Sequence, residues 1–408
     1  MKRKVMGFLK YWAQLFLLPV YGVSFITPRS KKIWLFGSSF GKRFADNPRY
    51  LYLYVSQMES CEERPIWISK DKQIVDFLKQ NHLEAYTYRS WKGIYYCLRA
   101  GVYLFDNYSK DISFWLSGGA KKINLWHGTG NKKINYDNKF DKLRHPKNNW
   151  ERFKNFLITI SNEKPSHYIL ATSEMMGDIF SSAFAVPRNH IIVDGYPRND
   201  VLFSQCEIKP VYTKKEEAAV STIRGLKQQG AYIIFYLPTF RDSEKMFFEA
   251  MDLVVFNQFL KDNEMVFITK LHPKSKLKEQ FEMVSYSNIQ NMDTDIDTYS
   301  VLGFADMLTT DYSSIHTDFL MLNRPSVLFT YDLDEYSKDT RECYFDYDSY
   351  MPELRTYTMK EFMDGIASVR NQDNCESGRV ELRSKMFSYV DCKASERLVK
   401  KIRRIVEK

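Results

Sequence analysis

The sequence predicts an α/β protein built from two doubly wound parallel sheets, and three observations carry that expectation. Short apolar runs alternate with helical stretches along most of the chain, the pattern of strand–helix–strand units. Polar clusters stand directly after several of those runs: Trp126-His127-Gly128-Thr129, Gly195-Tyr196-Pro197-Arg198-Asn199-Asp200, Pro238-Thr239-Phe240-Arg241-Asp242, Lys270-Leu271-His272-Pro273, and the stretch from Asp311 to Asp318. Ligands of open α/β sheets bind beyond the carboxyl ends of the strands, so clusters in both halves of the chain point to one cleft shared by two sheets. Finally, 408 residues exceed one typical core and suit two domains.

Taken in order, the chain opens on a basic head, Met1-Lys2-Arg3-Lys4, followed by the mostly apolar stretch Val5 to Thr27 with Trp12, Phe16 and Tyr21. Lys10 and Gln14 interrupt that stretch and Pro19 breaks it. The uninterrupted part, Leu15 to Thr27, is shorter than the roughly 20 residues a spanning helix needs. No small-residue cleavage site marks it as a signal peptide. A basic head with aromatic and Leu residues suits a helix lying in the interface of an anionic leaflet; a packed helix of the fold is the plain alternative. Residues 1–29 are assigned to this segment.

Residues 30–205 form the first predicted domain. Strands are expected at Lys31–Phe36, Pro65–Ile68, Ala100–Phe105 and Lys122–Trp126, with helices opened by Asn47-Pro48 and over Ile74–Leu83. The basic, aromatic stretch Lys132–Asn155 reads as a solvated loop, with a polyanion-binding or membrane-facing role as the alternative. Residues 206–230, with a helical Lys215–Gln229, form the linker. The second domain, 231–385, carries strands at Ala231–Leu237, Met265–Lys270, Ser287–Asn291, Met307–Thr309 and Ser326–Phe329, and a helix at Met359–Val369. One helix, Arg379–Glu407, is expected to close the chain, with residues 386–408 as its own segment.

The net charge of +9 fits anionic partners: nucleotide, polyphosphate, acidic membrane or nucleic acid. No recognised nucleic-acid module is present, which sets that partner aside. The six cysteines, Cys61, Cys97, Cys206, Cys343, Cys375 and Cys392, lack CxxC spacing. They suggest reduced thiols of a cytoplasmic protein rather than a zinc site or disulfide framework. Asp293, Asp295 and Asp297 alternate but lack the Gly and distal Glu of a calcium loop, so a solvated turn is the reading. No metal site is predicted; Mg2+ accompanying a nucleotide diphosphate is left open.

The segment Asp311-Tyr312-Ser313-Ser314-Ile315-His316-Thr317-Asp318 is the most telling of the polar clusters. An Asp/Ser/Thr turn between strand and helix presents backbone amides, two hydroxyls and a helix dipole to a phosphate. The same residue types also serve as an ordinary helix cap, and the segment alone does not separate the two. His316 is assigned to the helix surface. Asp318, one turn beyond Ser314, can face the same pocket, while Asp200 suits a helix cap.

These clusters resemble, in the same order, the motifs of the CDP-glycerol glycerophosphotransferases, the teichoic acid primases and polymerases of bacterial cell envelopes. The matching motifs are Trp-His-Gly-Thr at 126–129, Gly-Tyr-Pro-Arg-x-Asp at 195–200, Pro-Thr-Trp-Arg-Asp at 238–242, Lys-x-His-Pro at 270–273 and Asp-Tyr-Ser-Ser at 311–314. Trp34–Gly41 with Asp46-Asn47-Pro48 is similar to the family's first strand. Tyr331–Asp334 and Arg341–Asp346 resemble its later signatures. The likeness runs from about Trp34 to about Pro352. The chain departs from the pattern at Gly130-Asn131-Lys132, where Pro-Leu-Lys is usual, at Phe240 in place of Trp, and at Glu342 in place of Gly.

The resemblance implies a GT-B architecture, two Rossmann-like domains facing an interdomain cleft. It implies transfer of glycerol phosphate from CDP-glycerol to a hydroxyl of a lipid-linked or polymeric acceptor, with release of CMP, in teichoic acid or capsular polymer synthesis. The enzyme would work as a peripheral protein on the cytoplasmic face of the bacterial membrane, against its anionic surface. His127 is the implied base; position alone would make it a structural His bonded to a carbonyl. His272 is the second catalytic candidate, stabilising phosphoryl oxygens or the leaving phosphate. Thr129, Arg198, Thr239, Arg241, Lys270, Asp311, Ser313, Ser314 and Asp318 are the candidate substrate ligands, Arg241 through a bidentate fork to phosphate. A GT-B glycosyltransferase using a nucleotide sugar, a CDP-ribitol-type transferase and a non-catalytic scaffold remain alternatives, because fold does not fix function.

Overall fold

The computed structural model describes residues 12, 14–161, 165–239, 241, 245–271, 275, 286–333 and 342–407. It is a mixed α/β protein with two parallel sheets. The first has seven strands: β1 (Ser30–Gly37), β2 (Arg64–Ser69), β3 (Ala85–Thr87), β4 (Ala100–Phe105), β5 (Lys121–Asn124), β6 (Tyr168–Ala171) and β7 (Ile191–Val193). Their order is β3-β2-β1-β4-β5-β6-β7. The second has six: β8 (Tyr232–Tyr236), β9 (Met265–Thr269), β10 (Ile289–Asn291), β11 (Met307–Thr310), β12 (Ser326–Phe329) and β13 (Leu354–Thr356). Their order, β10-β9-β8-β11-β12-β13, places the strand reversal between β8 and β11. The first sheet reverses between β1 and β4. These are the points at which such sheets open a crevice for ligands.

Central strands are largely buried because helices cover both faces of a parallel sheet. All of β4 and β9 is buried. One hydrophobic cluster joins the halves, with Ile169 and Phe180 of the first packed in the same core as Phe235 and Leu308 of the second. Buried ion pairs lie in the same region. Arg49 pairs with Glu216 at 2.6 Å and approaches Asp297 at 3.6 Å, all three buried. Asp297 is therefore interior, contrary to the solvated turn expected of the alternating aspartates, while Asp293 and Asp295 receive Lys215.

Three further expectations are corrected. The single closing helix is two helices, Glu376–Met386 and Ala394–Glu407. The second returns to the first sheet, burying Leu398, Val399 and Ile402 against the cluster that holds Trp34 and Trp67. Its start is fixed by Asp200, whose carboxylate accepts from the amides of Ala394 (2.9 Å) and Ser395 (2.8 Å). Lys132–Asn155 is not wholly loop: the helix Asn149–Thr159 begins within it, capped by Asn148. His316 is buried, because its helix, Ile315–Phe319, is short and enclosed; Nε2 lies 3.5 Å from the buried Glu353.

Burial pushes the Asp200 carboxyl up to about 6, against the two amides and Ser395 that favour its charge. A raised carboxyl keeps its proton in the folded state between about pH 4 and 6, so its contribution to stability falls as pH rises through that window and levels off above it. The shift corresponds to about 3 kcal/mol. Asp200→Asn is expected to remove this drop. Denaturant midpoints of both proteins at pH 4 and pH 7 check it: the wild type should lose ground to the variant at the higher pH.

The helix Leu18–Ile26 lies on the first half. Arg29 anchors it, donating to the carbonyls of Ser24 (2.8 Å), Cys97 (2.6 Å) and Leu116 (2.8 Å). The outward side stays apolar: Phe16 is 84% and Ile26 82% exposed. Trp12 stacks edge-on against Phe153 of the helix Asn149–Thr159, next to the exposed Trp150. Among the described residues, no helix is long and apolar enough to cross a membrane.

Candidate active site

After β5 the chain turns outward through Trp126, whose backbone is left-handed at φ 51°. Such a conformation costs an L-residue about 1–2 kcal/mol and is held by its surroundings. The Trp126 amide donates to Asn124 Oδ1 at 2.8 Å. Asn47 Nδ2 donates to the Trp126 carbonyl at 2.9 Å, and the indole packs on Phe184. The turn leaves the His127 ring exposed, with Nδ1 2.9 Å from the Asp106 carbonyl oxygen. A carbonyl only accepts, so Nδ1 carries the proton and Nε2 keeps its lone pair. The ring is thus an oriented proton acceptor.

The two sheets carry the same device at their reversal points. After β1, Ser38 Oγ donates to Asp106 Oδ2 beyond β4 at 2.6 Å, and the Ser39 amide donates to Asp106 Oδ1 at 3.0 Å. After β8, Thr239 Oγ1 donates to Asp311 Oδ1 beyond β11 at 2.8 Å, and the Thr239 amide donates to the same oxygen at 2.9 Å. Asp106 thereby orients two loops, its carboxylate the one after β1 and its carbonyl the His127 ring. Burial and the nearby Asp46 push its carboxyl up, opposed by His127. Burial and Asp106 push Asp111 up further. Sequence reasoning passed over Asp106, although it too stands directly after an apolar run.

In the second half, Asp311 also receives Arg241 Nη1 at 2.6 Å, and Arg241 Nη2 reaches Asp332 at 2.9 Å. Burial works against the Arg241 charge, but the Asp332 hydrogen bond and the Asp311 charge outweigh it and hold its pKa above the ordinary value. Beyond Asp311 the turn presents Ser313 and Ser314, both half-buried. Neither hydroxyl has a partner among the described residues. The helix that follows has five residues, so hydroxyls and amides, more than a helix dipole, make this turn suitable for a phosphate.

The turn meets the His127 loop. A Cβ added to Gly128 would lie 3.4 Å from Ser314 Oγ, and one on Gly130 3.8 Å from Ser314 Cβ. Thr317 Oγ1 and Tyr350 Oη donate to the Thr129 carbonyl at 3.0 and 2.7 Å. Arg198 ties both sides from beneath: Nη1 donates to the His127 carbonyl at 2.8 Å and to Asp46 Oδ1 at 2.8 Å, and Nη2 to Asp318 Oδ2 at 2.5 Å. Tyr299 Oη also donates to Asp318 Oδ2, at 2.6 Å.

The predicted site residues therefore divide. His127, Ser313 and Ser314 converge with accessible polar groups. Lys270 stands at the end of β9, half-buried, with no ion pair among the described residues; burial and Arg43 lower its pKa, against the charges of Asp297, Asp295 and Asp293. Asp318, Arg198 and Thr129 are fully buried and engaged as described, so they brace the site instead of touching a ligand. Arg241 and Thr239 are taken up by Asp311 and Asp332, which makes Asp311 a positioning residue and leaves Arg241 no open fork. His272 lies outside the described residues, as do Phe240 and Arg341. Among the described residues no group of three or more His, Cys, Asp or Glu side chains is placed to hold a metal ion.

Two departures from the expected motifs meet in space. Asn131 Oδ1 accepts from the Phe345 amide at 2.8 Å and its carbonyl from the Tyr344 amide at 2.8 Å. Glu342 receives Lys133 at 2.9 Å and Lys139 at 3.2 Å. The segment after Thr129 is thus strapped to residues 342–345, a pairing with no separate sequence signal in either stretch.

The model of the family described as CDP-Glycerol:Poly(glycerophosphate) glycerophosphotransferase matches residues 20–404. The chain is 26% identical over 391 residues to the teichoic acid poly(glycerol phosphate) polymerase of Bacillus spizizenii, covering 92% of this chain and 93% of that protein. It is 27% identical over 390 residues to the teichoic acid glycerol-phosphate transferase of Staphylococcus aureus, covering 91% and 93%. Among solved structures, the wall teichoic acid polymerase TagF superposes with a TM-score of 0.72 at 23% identity, covering 99% of this chain and 97% of that one.

Proposed function

The chain belongs to the CDP-glycerol:poly(glycerophosphate) glycerophosphotransferase family, and we propose that His127 and the Asp311–Ser314 turn divide its reaction between them. The protein is a CDP-glycerol glycerophosphotransferase of teichoic acid synthesis. The observation that carries the division is the close approach of Gly128 to Ser314, 3.4 Å from an added Cβ to Ser314 Oγ, which sets an oriented, exposed imidazole beside the turn whose hydroxyls have no partner among the described residues.

The donor diphosphate sits on the Ser313 and Ser314 hydroxyls and adjacent amides, with the Lys270 ammonium contributing positive charge. An acceptor hydroxyl enters from the first half. Its oxygen attacks the phosphorus that bears glycerol, while His127 Nε2 takes the hydroxyl proton. The bond from that phosphorus to the bridging oxygen breaks, and CMP leaves with that oxygen. Asp106 holds the His127 tautomer, and Asp311 holds Thr239 and Arg241 at the donor loop.

Asp311→Ala would remove one of the two carboxylates that hold Arg241 and the acceptor of both Thr239 donors. Losing a hydrogen bond to a charged group costs about 1.5–3 kcal/mol, so the KM for CDP-glycerol is expected to rise about 10- to 100-fold. Initial rates across donor concentration check this; an unchanged KM would remove Asp311 from the donor site.

In this reading the two sheets are the two Rossmann-like domains of a GT-B enzyme, 30–205 for the acceptor and 231–385 for the donor. The acceptor is lipid-linked or polymeric, in teichoic acid or capsular polymer synthesis. The exposed Phe16, Ile26 and Trp150 support a peripheral seat on the cytoplasmic, anionic face of the membrane, since apolar and aromatic side chains with nearby lysines favour that interface. The test is incubation of purified protein with CDP-glycerol and a lipid-linked or polymeric acceptor, following CMP and product mass. CMP release with mass steps of glycerol phosphate supports the reading. CMP from CDP-ribitol only, or turnover of a nucleotide sugar, would overturn it.

A further inference from the structure

A groove of about 410 Å³ opens on the outer edge of the first sheet, beside β3, in the size range of small-ligand pockets, about 300–1,000 Å³. Tyr86 forms part of its lining, with the ammonium of Lys79 5.4 Å and that of Lys92 5.9 Å from its ring centroid. Lys72 stands on the same wall. None of these three lysines has a carboxylate partner among the described residues. Trp91 also lines the groove and is 89% exposed, an unusual position for an indole in a protein with a large core elsewhere. The groove therefore combines aromatic faces with three lysines against one carboxylate, Asp76, which forms no ion pair with them among the described residues, so its lining is net positive.

A path of the same character leads from it to His127. Tyr88 follows β3, and Lys70 Nζ lies 5.8 Å from its ring. That ammonium donates to the Phe40 carbonyl at 2.6 Å. The Phe40 ring, 41% exposed, lies 4.6 Å from the Lys110 ammonium. Phe40 has a left-handed backbone, φ 59°, of the kind that costs about 1–3 kcal/mol and persists where the surroundings enforce it. The enforcing bond is from its amide to Asp111 Oδ1 at 2.8 Å, beside the Asp106 that orients His127. The exposed ring thus belongs to the loop after β1, whose Ser38 and Ser39 are held by Asp106.

We propose that this surface is an extended subsite for an anionic polyol-phosphate acceptor, which lies from the Trp91 groove across Phe40 with its terminal hydroxyl at His127. The proposal rests on the glycerophosphotransferase reading and adds where the acceptor runs. Lysines bind phosphates as point charges, and Tyr and Trp supply contact area to the carbon faces of the polyol. The repeat of cation and ring along the path matches a repeat of phosphate and polyol along the ligand.

The test uses the full chain with poly(glycerol phosphate) acceptors of graded length and a variant combining Trp91→Ala, Lys79→Glu and Lys92→Glu. All three side chains lie outside the core. Wild-type KM is expected to fall as the acceptor lengthens. In the variant, KM for long acceptors should rise about tenfold, while kcat, the KM of the shortest acceptor and the KM of CDP-glycerol stay unchanged. An unchanged KM for long acceptors, or an equal rise for short and long ones, would overturn the subsite. Equilibrium binding of labelled poly(glycerol phosphate) without CDP-glycerol decides the matter independently of turnover: loss of CMP release from every CDP donor would sink the functional reading, whereas weaker polymer binding by the variant would still support the subsite. Equal competition by oligothymidylate of the same charge, or by phosphatidylglycerol vesicles, would contradict it in favour of a nucleic-acid or membrane surface.

Discussion

His127→Ala is expected to lower CMP release about 10²- to 10⁴-fold, the usual contribution of a positioned base, with CDP-glycerol affinity and thermal midpoint unchanged. The expectation follows from the ring's surroundings. Nδ1 is committed to the Asp106 carbonyl, Nε2 has no hydrogen bond among the described residues, and the residue is exposed. A merely structural His bonded to a carbonyl would behave oppositely, losing stability with little effect on rate. Rates and melting curves measured on the same preparation separate the two.

Arg198→Met is expected to cost about 3–5 kcal/mol of stability, because it leaves the buried Asp318 without its cation. Arg198 is 2% exposed and Asp318 1%; burial opposes the Arg198 charge, and the charges of Asp318 and Asp46 overcome it, raising its pKa. Activity should fall as well, since Nη1 also holds the His127 carbonyl at 2.8 Å. Lysine would not rescue it, because three acceptors in different directions need the guanidinium fork. Adding Asp318→Leu should recover part of the stability by removing the unpaired charge, without recovering CMP release. Full recovery of activity in the double variant would show that Arg198 acts on stability alone.

Much of the site was legible because strand ends carry it. β12 falls on the residues expected, and β8, β9 and β11 within one or two of them, since buried parallel strands read as continuous apolar runs. Short strands were legible only in part: β3 and β13, of three residues each, were missed, whereas β10, equally short, lies within the expected Ser287–Asn291. Nor was the break before Ala394 visible, because the cap that starts that helix comes from Asp200, almost two hundred residues earlier in the chain.

Roles were harder to read than positions. Asp318 and Arg198 look like ligands in the sequence, as charged residues beside a phosphate turn, and only their mutual distance shows them to be a brace. Arg241 looks like an open fork until Asp311 and Asp332 occupy it. Asp106 follows the same strand-end rule as His127 and could have been named by it; its importance comes from two bonds, one through the side chain and one through the backbone, that no local pattern encodes.

In the reaction proposed above, the second half holds the donor while a base from the first half acts on the acceptor. Calorimetric titration of CDP-glycerol into His127→Ala and into the double variant Ser313→Ala/Ser314→Ala, each paired with CMP release, tests it most directly. His127→Ala is expected to bind the donor as the wild type does yet release almost no CMP, and the serine variant to lose donor binding. Donor binding lost with His127, or retained undiminished without both serines, would contradict it.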